Sequence, residues 1–233
     1  MMDKRVEIIF ENDRYLVIHK RAGIAVQTAS VSSGDVCSEL KNHLRGGYLG
    51  VIHRLDQPVE GLLVFAKDKK TAAALTEELA KGRLKKSYKA VCIGKPIESG
   101  TDICYMRKGE GNRCEIGEGP DFKRAELSYK VLDSKDGTSL LNINIGTGRF
   151  HQIRAQMAHM GFPLIGDEKY GSDESLKLSD ELRITAPALC ADRLSFYDES
   201  ALAMRNFSIW PENPAFLKYD ERFINIEGNV FGN

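Results

Sequence analysis

The chain has 233 residues, of which 42% are apolar, and its 33 Lys and Arg are matched by 33 Asp and Glu, the composition of a globular protein with a sizeable core. It has no apolar run of about 18 residues, which excludes a helical membrane span, and the opening Val6-Glu7-Ile8-Ile9-Phe10 is too short and interrupted for a secretory leader. Zero formal charge, taken alone, speaks against a polyanionic partner, and five scattered cysteines without a CxxC pair point to reduced thiols rather than a zinc site or a disulfide framework. The expected compartment is the cytoplasm.

In chain order, Val6–Phe10 and Tyr15–His19 read as two short strands around the turn-forming Glu11-Asn12-Asp13. Residues 27–47 are polar and Gly-rich, with a short helix near Val36–Leu44 stopped by Gly46-Gly47. Gly61–Lys67 holds the continuous apolar run of a buried strand. Asp68 is placed to cap a helix over Lys69–Lys81, and Gly82 sits where a C-terminal glycine belongs. Ser87–Ile93 reads as a strand. Ala125–Leu132 and Ser139–Ile145 form a candidate hairpin around Lys135-Asp136-Gly137. Gln152–Met160 reads as a helix ended by Gly161 with Pro163 beyond, and Ala186–Phe196 as a further strand. The stretch after Trp210 is less patterned.

Strands outnumber helices and follow one another, which predicts an α+β fold with a mixed, mostly antiparallel sheet and flanking helices rather than βαβ repeats. No repeat or linker appears, so residues 1–233 are expected to form a single domain. The absence of GxGxxG and P-loop patterns points away from a nucleotide cofactor.

Charge is unevenly distributed. Residues 1–170 carry 27 Lys and Arg against 22 Asp and Glu, and residues 171–233 carry 6 against 11. The densest basic run, Lys81 to Lys89, includes Lys85 and Lys86 and no acid. It fits either a phosphate-binding segment or a solvated helix end.

Three segments concentrate polar groups at the start of a strand or helix. His53, Arg54 and Asp56 lie within four residues, just before the buried strand, with Pro58 and Gly61 marking a tight connection. An Asp beside an Arg stays ionised and serves either as nucleophile or base, or simply as half of a structural ion pair. Gly146-Thr147-Gly148 frees the backbone ahead of Arg149, His151, Gln152 and Arg154, where a helix start favours an anion; a surface helix start with scattered charges is the plainer alternative. Tyr88, flanked by Lys86 and Lys89, has the chemistry to stack on a base while the cations hold phosphates, or is a half-buried strand residue.

Taken together these blocks resemble the RluA-type RNA pseudouridine synthases. His53-Arg54-Leu55-Asp56 with Gly61-Leu62-Leu63-Val64-Phe65-Ala66-Lys67 resembles the family's signature, and Gly148 to Arg154 its second block. Leu164-Ile165-Gly166-Asp167-Glu168-Lys169-Tyr170-Gly171 is similar to the block that follows, and Glu11 to Gly23 to the opening strand pair and its turn. Val59-Glu60 stand where the family usually has Thr-Ser, and Arg21 where it has Pro.

The resemblance implies isomerisation of a uridine in structured RNA, ribosomal or transfer, with no metal or cofactor; a monomer is expected, without the N-terminal S4 domain that many relatives carry, since the family's blocks begin by residue 6. It implies Asp56 as the catalytic carboxylate, Arg154 as its partner and Tyr88 stacked on the uracil. Arg54 then fills the gap left by the flipped base or grips a phosphate; Arg149, His151 and Gln152 contact RNA, as do Lys85 and Lys86 of the basic run, and His53 lines the site or bonds locally. Two rivals are a catalytically silent RNA-binding protein on the same scaffold and an unrelated hydrolase using Asp56 with His53 or His151. The second lacks a Ser or Cys nucleophile motif and an HExxH-type cluster.

Overall fold

The computed structural model describes residues 3–28 and 34–220. The chain divides into two compact units, Met1–Ser87 with Cys190–Pro211 and Tyr88–Leu189 with Glu212–Asn233.

The first unit is organised by two strands that are buried along their whole length, β2 (Tyr15–Lys20) and β4 (Glu60–Ala66). Side chains on a strand alternate between faces, and each face here has its own cover. Leu16, Ile18, Leu63 and Phe65 pack with Val36 and Leu40 of α1 (Val36–His43). Val17, Leu62, Val64 and Ala66 pack with Leu75 of α2 (Lys69–Ala80). That two-sided cover is why the sequence of β4 reads as an unbroken apolar run.

Strand order in this unit is β1 (Val6–Glu11), β2, β4, β10 (Leu189–Asp198), with β11 (Ala203–Ser208) on β10 and the short β3 (Gly50–Val51) on β4. All pairings are antiparallel except β4 with β10, where Cys190 faces Glu60 and Ala191 faces Gly61. The sheet is therefore mixed. Helix α2 starts as the sequence predicts, with the Asp68 carboxylate accepting from the Thr71 amide at 2.8 Å, and a positive φ of 66° at Gly82 follows its end.

The second unit is antiparallel along the chain of strands β9 (Thr138–Ile145), β8 (Lys123–Lys135), β6 (Ser99–Lys108) and β7 (Cys114–Ile116), with β5 (Lys85–Ile93) next to β9. The β8–β9 hairpin closes through Asp136 and Gly137, both at positive φ (48° and 71°), which matches the twist of the strands. Helix α3 (Gln152–His159) is buried on nearly every side, so the plainer reading of a surface helix start does not hold. Helix α4 (Asp173–Glu181), for which the sequence pattern gives no clear start, begins with a reciprocal Ser172–Ser175 capping box. Strands β6, β7 and β11 (Ala203–Ser208) likewise lack a clear apolar alternation in the sequence. No helix among the described residues is long and apolar enough to cross a membrane, and the five cysteines are unbridged.

Gly61 leaves no room for a side chain. Its φ is 142°, and a Cβ there would stand 2.5 Å from the backbone nitrogen and Cβ of Ala191. Gly61→Ala is expected to cost about 3 kcal/mol, combining backbone strain with overpacking at the β4–β10 contact. Urea unfolding of the two proteins measures this; a loss below about 1 kcal/mol would mean that the strands separate easily.

Candidate active site

The candidate residues fall in both units. In the first, the chain leaves β3, runs through Ile52, His53, Arg54, Leu55 and Asp56, turns at Gln57-Pro58 and enters β4 at Glu60. The turn is closed by the Val59 amide donating to the Asp56 carbonyl at 3.1 Å. Ile52 is anchored in one face of the core and Leu55 packs at the margin of the other. With both neighbours pinned, the loop presents Asp56 half-buried and Arg54 exposed.

What fixes the loop from beneath is Lys20. Its side chain has no exposure, and its ammonium donates to the Ile24 carbonyl at 2.9 Å, the Gln57 carbonyl at 3.0 Å and the Arg21 carbonyl at 3.2 Å. Gln57 is tied to the same turn by the Gly23 amide donating to its carbonyl at 2.9 Å, while its own amide donates to the Gly23 carbonyl at 3.2 Å. Burial lowers the Lys20 amine to about 7, even though the charges of Asp56 and Glu60 pull it upward. Sequence reasoning placed Lys20 in a family block without giving it a role. The sequence carries no signal for it beyond a lysine at the end of a strand, after Leu16-Val17-Ile18-His19.

His53 is buried, and its imidazole is held well below the usual histidine range, first by burial and then by the charge of Lys86. The basic run is not one surface. Lys81 pairs with Glu77 and Arg83 with Glu78. Lys85 is exposed beside Tyr197 and Glu199 in a shallow groove, and Lys86 is partly buried.

In the second unit, Tyr88 is buried on β5. Arg154, on the first turn of α3, is also buried, and its guanidinium makes a two-pronged pair with Asp167, Nε to Oδ2 and Nη2 to Oδ1, both at 2.7 Å. Asp167 is fully buried, and its Oδ1 also accepts from the amides of Lys169 and Tyr170 at 3.1 and 3.2 Å. The family resemblance offers Asp56 as the partner of Arg154; within its own unit Asp167 holds it.

His151, at the N-cap of α3, has φ 52°, a left-handed conformation unusual for a residue with a side chain. It stacks on Phe150 at 3.8 Å and shares a 2.9 Å hydrogen bond between Nδ1 and the Tyr170 hydroxyl. Burial, followed by the charges of Arg154 and Lys169, lowers its pKa to about 4, so the ring is neutral at physiological pH. Gln152 builds the preceding loop: Oε1 accepts from Thr147 Oγ1 and the Arg149 amide at 2.8 and 2.9 Å, and Nε2 donates to the Glu126 carbonyl at 2.9 Å. That loop presents Arg149, which is exposed and donates from Nε to the Arg124 carbonyl at 3.0 Å. The first unit offers a fixed carboxylate, an exposed guanidinium and a buried, neutral imidazole, and the second offers an exposed guanidinium and a half-buried, neutral imidazole. Burial raises the thiols of Cys37, Cys104 and Cys114 to about 11 and of Cys92 to about 12, which makes them poor nucleophiles.

The sequence profile described as RNA pseudouridylate synthase matches residues 14–159, a span that includes Asp56, Tyr88 and Arg154. The chain belongs to the RNA pseudouridylate synthase family. An uncharacterized RNA pseudouridine synthase of Chloroflexus aurantiacus is 37% identical over 132 residues, covering 56% of this chain and 42% of that protein. Ribosomal large subunit pseudouridine synthase C of Rickettsia conorii is 32% identical over 84% of this chain and 66% of its own length. Synthase D of Haemophilus influenzae is 32% identical over 71% and 53%. The chain thus spans between about two-fifths and two-thirds of the length of these relatives. Two solved structures share the fold. Human RNA pseudouridylate synthase domain containing 4 has a TM-score of 0.71 at 22% identity, covering 94% of this chain and 90% of that one. Domain containing 1 has a TM-score of 0.73 at 19% identity, covering 88% and 83%. The RluA-type resemblance and the α+β fold are borne out.

The titration of Lys20 gives the buried cation a measurable signature. An unfolded lysine titrates near about 10.4, whereas the folded chain holds this amine at about 7. Between these values the unfolded chain binds the extra proton, so stability from this group rises with pH. Lys20→Met has no such titration. The melting temperature of the wild type, relative to that of Lys20→Met, is expected to climb from about pH 7 to about pH 9.5; parallel pH curves would show that the amine stays charged when buried.

Proposed function

We propose that this protein isomerises uridine to pseudouridine in structured RNA, with Asp56 as the catalytic carboxylate. The observation that carries this reading is the Asp56 loop itself. A half-buried carboxylate follows the exposed Arg54, held by a tight turn over the buried ammonium of Lys20, in a chain of the pseudouridylate synthase family.

In the reaction, the C1′–N1 bond of the nucleoside breaks, the uracil turns, and a C1′–C5 bond forms. C5 loses a proton and N1 gains one, so neither formula nor oxidation state changes and no cofactor is required. A paired uridine cannot present its glycosidic bond to a side chain, so the nucleotide is first flipped out of its helix. Asp56 then acts on the nucleoside as nucleophile or base. Tyr88 stacks on the uracil and assists the proton leaving C5, and Arg154 pairs with Asp56. Arg54 occupies the gap left by the base or holds a phosphate. Arg149 and His151 contact the RNA from the loop that Gln152 supports, and Lys85 contributes long-range attraction. Both units serve a single catalytic function, as a monomer in the cytoplasm. The relatives named as ribosomal large subunit synthases favour ribosomal over transfer RNA as the substrate.

Wild-type protein is expected to release tritium from RNA labelled at C5 of uridine, and Asp56→Asn to lower that rate by at least about 10³-fold while keeping its melting curve. Tyr88→Phe keeps the ring and loses the hydroxyl, so it should fall between wild type and Tyr88→Leu. Carbodiimide mapping of rRNA and tRNA from a deletion strain identifies the target. Full activity in Asp56→Asn would remove the carboxylate from the reaction, and cleaved RNA or free uracil would point to a hydrolase.

A further inference from the structure

His151 is held by two aromatic side chains in a conformation that the backbone alone would not choose. Its φ of 52° is left-handed, which is costly for a residue with a side chain and persists only where the surroundings fix it. Phe150 stacks on the ring, with centroids 3.8 Å apart and planes 20° from parallel. Tyr170 meets the ring edge-on at 5.6 Å, and its hydroxyl lies 2.9 Å from Nδ1. Tyr170 is itself fixed. Its amide donates to Asp167 at 3.2 Å, and its ring lies 5.3 and 5.8 Å from the guanidinium groups of Arg154 and Arg113.

The direction of each hydrogen bond follows from what the groups can do. An amide only donates, and that of Cys114 donates to the Tyr170 hydroxyl oxygen at 2.6 Å. The hydroxyl has one hydrogen, and the acceptor it meets among the described residues is His151 Nδ1. Were Nδ1 the donor instead, the phenol oxygen would accept twice. Its own hydrogen would then have no protein acceptor, which is unfavourable in a half-buried group. Nδ1 is therefore the acceptor, and the single ring proton sits on Nε2. A second proton would have to enter at Nδ1 and break this bond. Burial, then the charges of Arg154 and Lys169, opposed by Asp167 and joined by Lys108, hold the imidazole at about 4, in agreement with a neutral ring.

We propose that Tyr170 is a positioning residue that locks His151 as the Nε2–H tautomer, an uncharged donor to an uncharged oxygen of the substrate RNA. The inference rests on the reading of His151 as an RNA contact and says what kind of contact it is. Arg149, exposed on the same loop, carries a charge and suits a phosphate. A neutral N–H fixed in direction suits a base carbonyl or a ribose hydroxyl, where the bond depends on geometry more than on field.

NMR of the full chain with isotope-labelled histidine reads the tautomer without RNA. The wild type is expected to show a bare Nδ1 and a protonated Nε2 at His151. In Tyr170→Phe both tautomers should appear and the midpoint of protonation should rise, because the hydroxyl that occupied Nδ1 is gone. A protonated Nδ1 in the wild type, or the same single tautomer and midpoint in Tyr170→Phe, overturns the role of Tyr170. Binding of a uridine-containing RNA hairpin reads the donor. His151→Leu should weaken it about tenfold, the worth of one neutral hydrogen bond, with an unchanged salt slope. His151→Gln keeps an N–H donor and should recover part of the loss. Should neither variant fold, Tyr170→Phe leaves His151 in place and should weaken binding about threefold at the same slope. A slope reduced by about one counterion would make His151 a phosphate-binding cation and overturn the proposal. The same hairpin built on deoxyribose assigns the oxygen: a loss in His151→Leu that persists there points to a base carbonyl, and one that disappears points to a ribose hydroxyl. Unchanged binding in every variant, with the wild type still forming pseudouridine, sinks this proposal alone. A wild type that forms no pseudouridine sinks the enzymatic reading, whichever tautomer His151 holds.

Discussion

The first unit depends on a cation placed where water cannot reach it. Lys20 has no exposed surface, and a bare ammonium in such a place would be prohibitive. It is tolerated because three carbonyls accept from it, among them that of Gln57, the residue after Asp56. This interaction joins the end of β2 and the adjoining Gly23 turn to the loop before β4, 37 residues along the chain from Lys20. A loop over an apolar floor would be held only by shape. A loop over a buried amine is held by the cost of leaving its donors unpaired, which is steeper and more directional. The half-buried carboxylate of Asp56 thus has a place set by the fold itself.

The second unit applies the same logic with the signs distributed differently. Arg154 and Asp167 are both buried and joined by two parallel bonds, and the carboxylate is also met by the amides of Lys169 and Tyr170. Tyr170 extends the network: its ring lies 5.3 Å from the Arg154 guanidinium, and its hydroxyl meets His151 and the Cys114 amide. His151 is therefore gripped on two sides, by Tyr170 and by stacking on Phe150, which offsets its left-handed backbone. Taking away one member of a buried pair leaves the other uncompensated, so such a network is held together as a unit. Its geometry orients helix α3 and the loop carrying Arg149.

Much of this was legible in the sequence where a single physical rule dominated. The two-sided burial of β4 writes an apolar run; Asp68 writes a helix start; Asp136-Gly137 writes a tight hairpin. The elements that went unmarked obey weaker rules. Strand β6 alternates exposed and half-buried positions, and its polar and charged residues mask the period. Helix α4 is capped by a serine at the third position where the recognisable pattern carries Glu or Gln. At the site, the Asp56 loop and the α3 block were visible as clusters and, more strongly, as a family resemblance. The roles of Lys20 and Asp167 were not, because each is defined by acceptors or donors brought together by folding. A lysine at the end of a strand looks the same whether it is solvated or buried.

The balance of charge illustrates the same limit. A formal charge of zero counts every cation equally, yet the cations of the run from Lys81 to Lys89 differ in kind. Lys81 and Arg83 are paired with the acids at the end of α2 and present little field beyond a Debye length. Lys85 is solvated. Lys86 is partly buried, and burial lowers its amine. Attraction at long range depends on the first kind of sum, but grip on a phosphate depends on desolvated donors that have nothing else to bond. A neutral protein can therefore hold a polyanion, provided that a few of its cations are kept unpaired by the fold while the rest are cancelled by their neighbours.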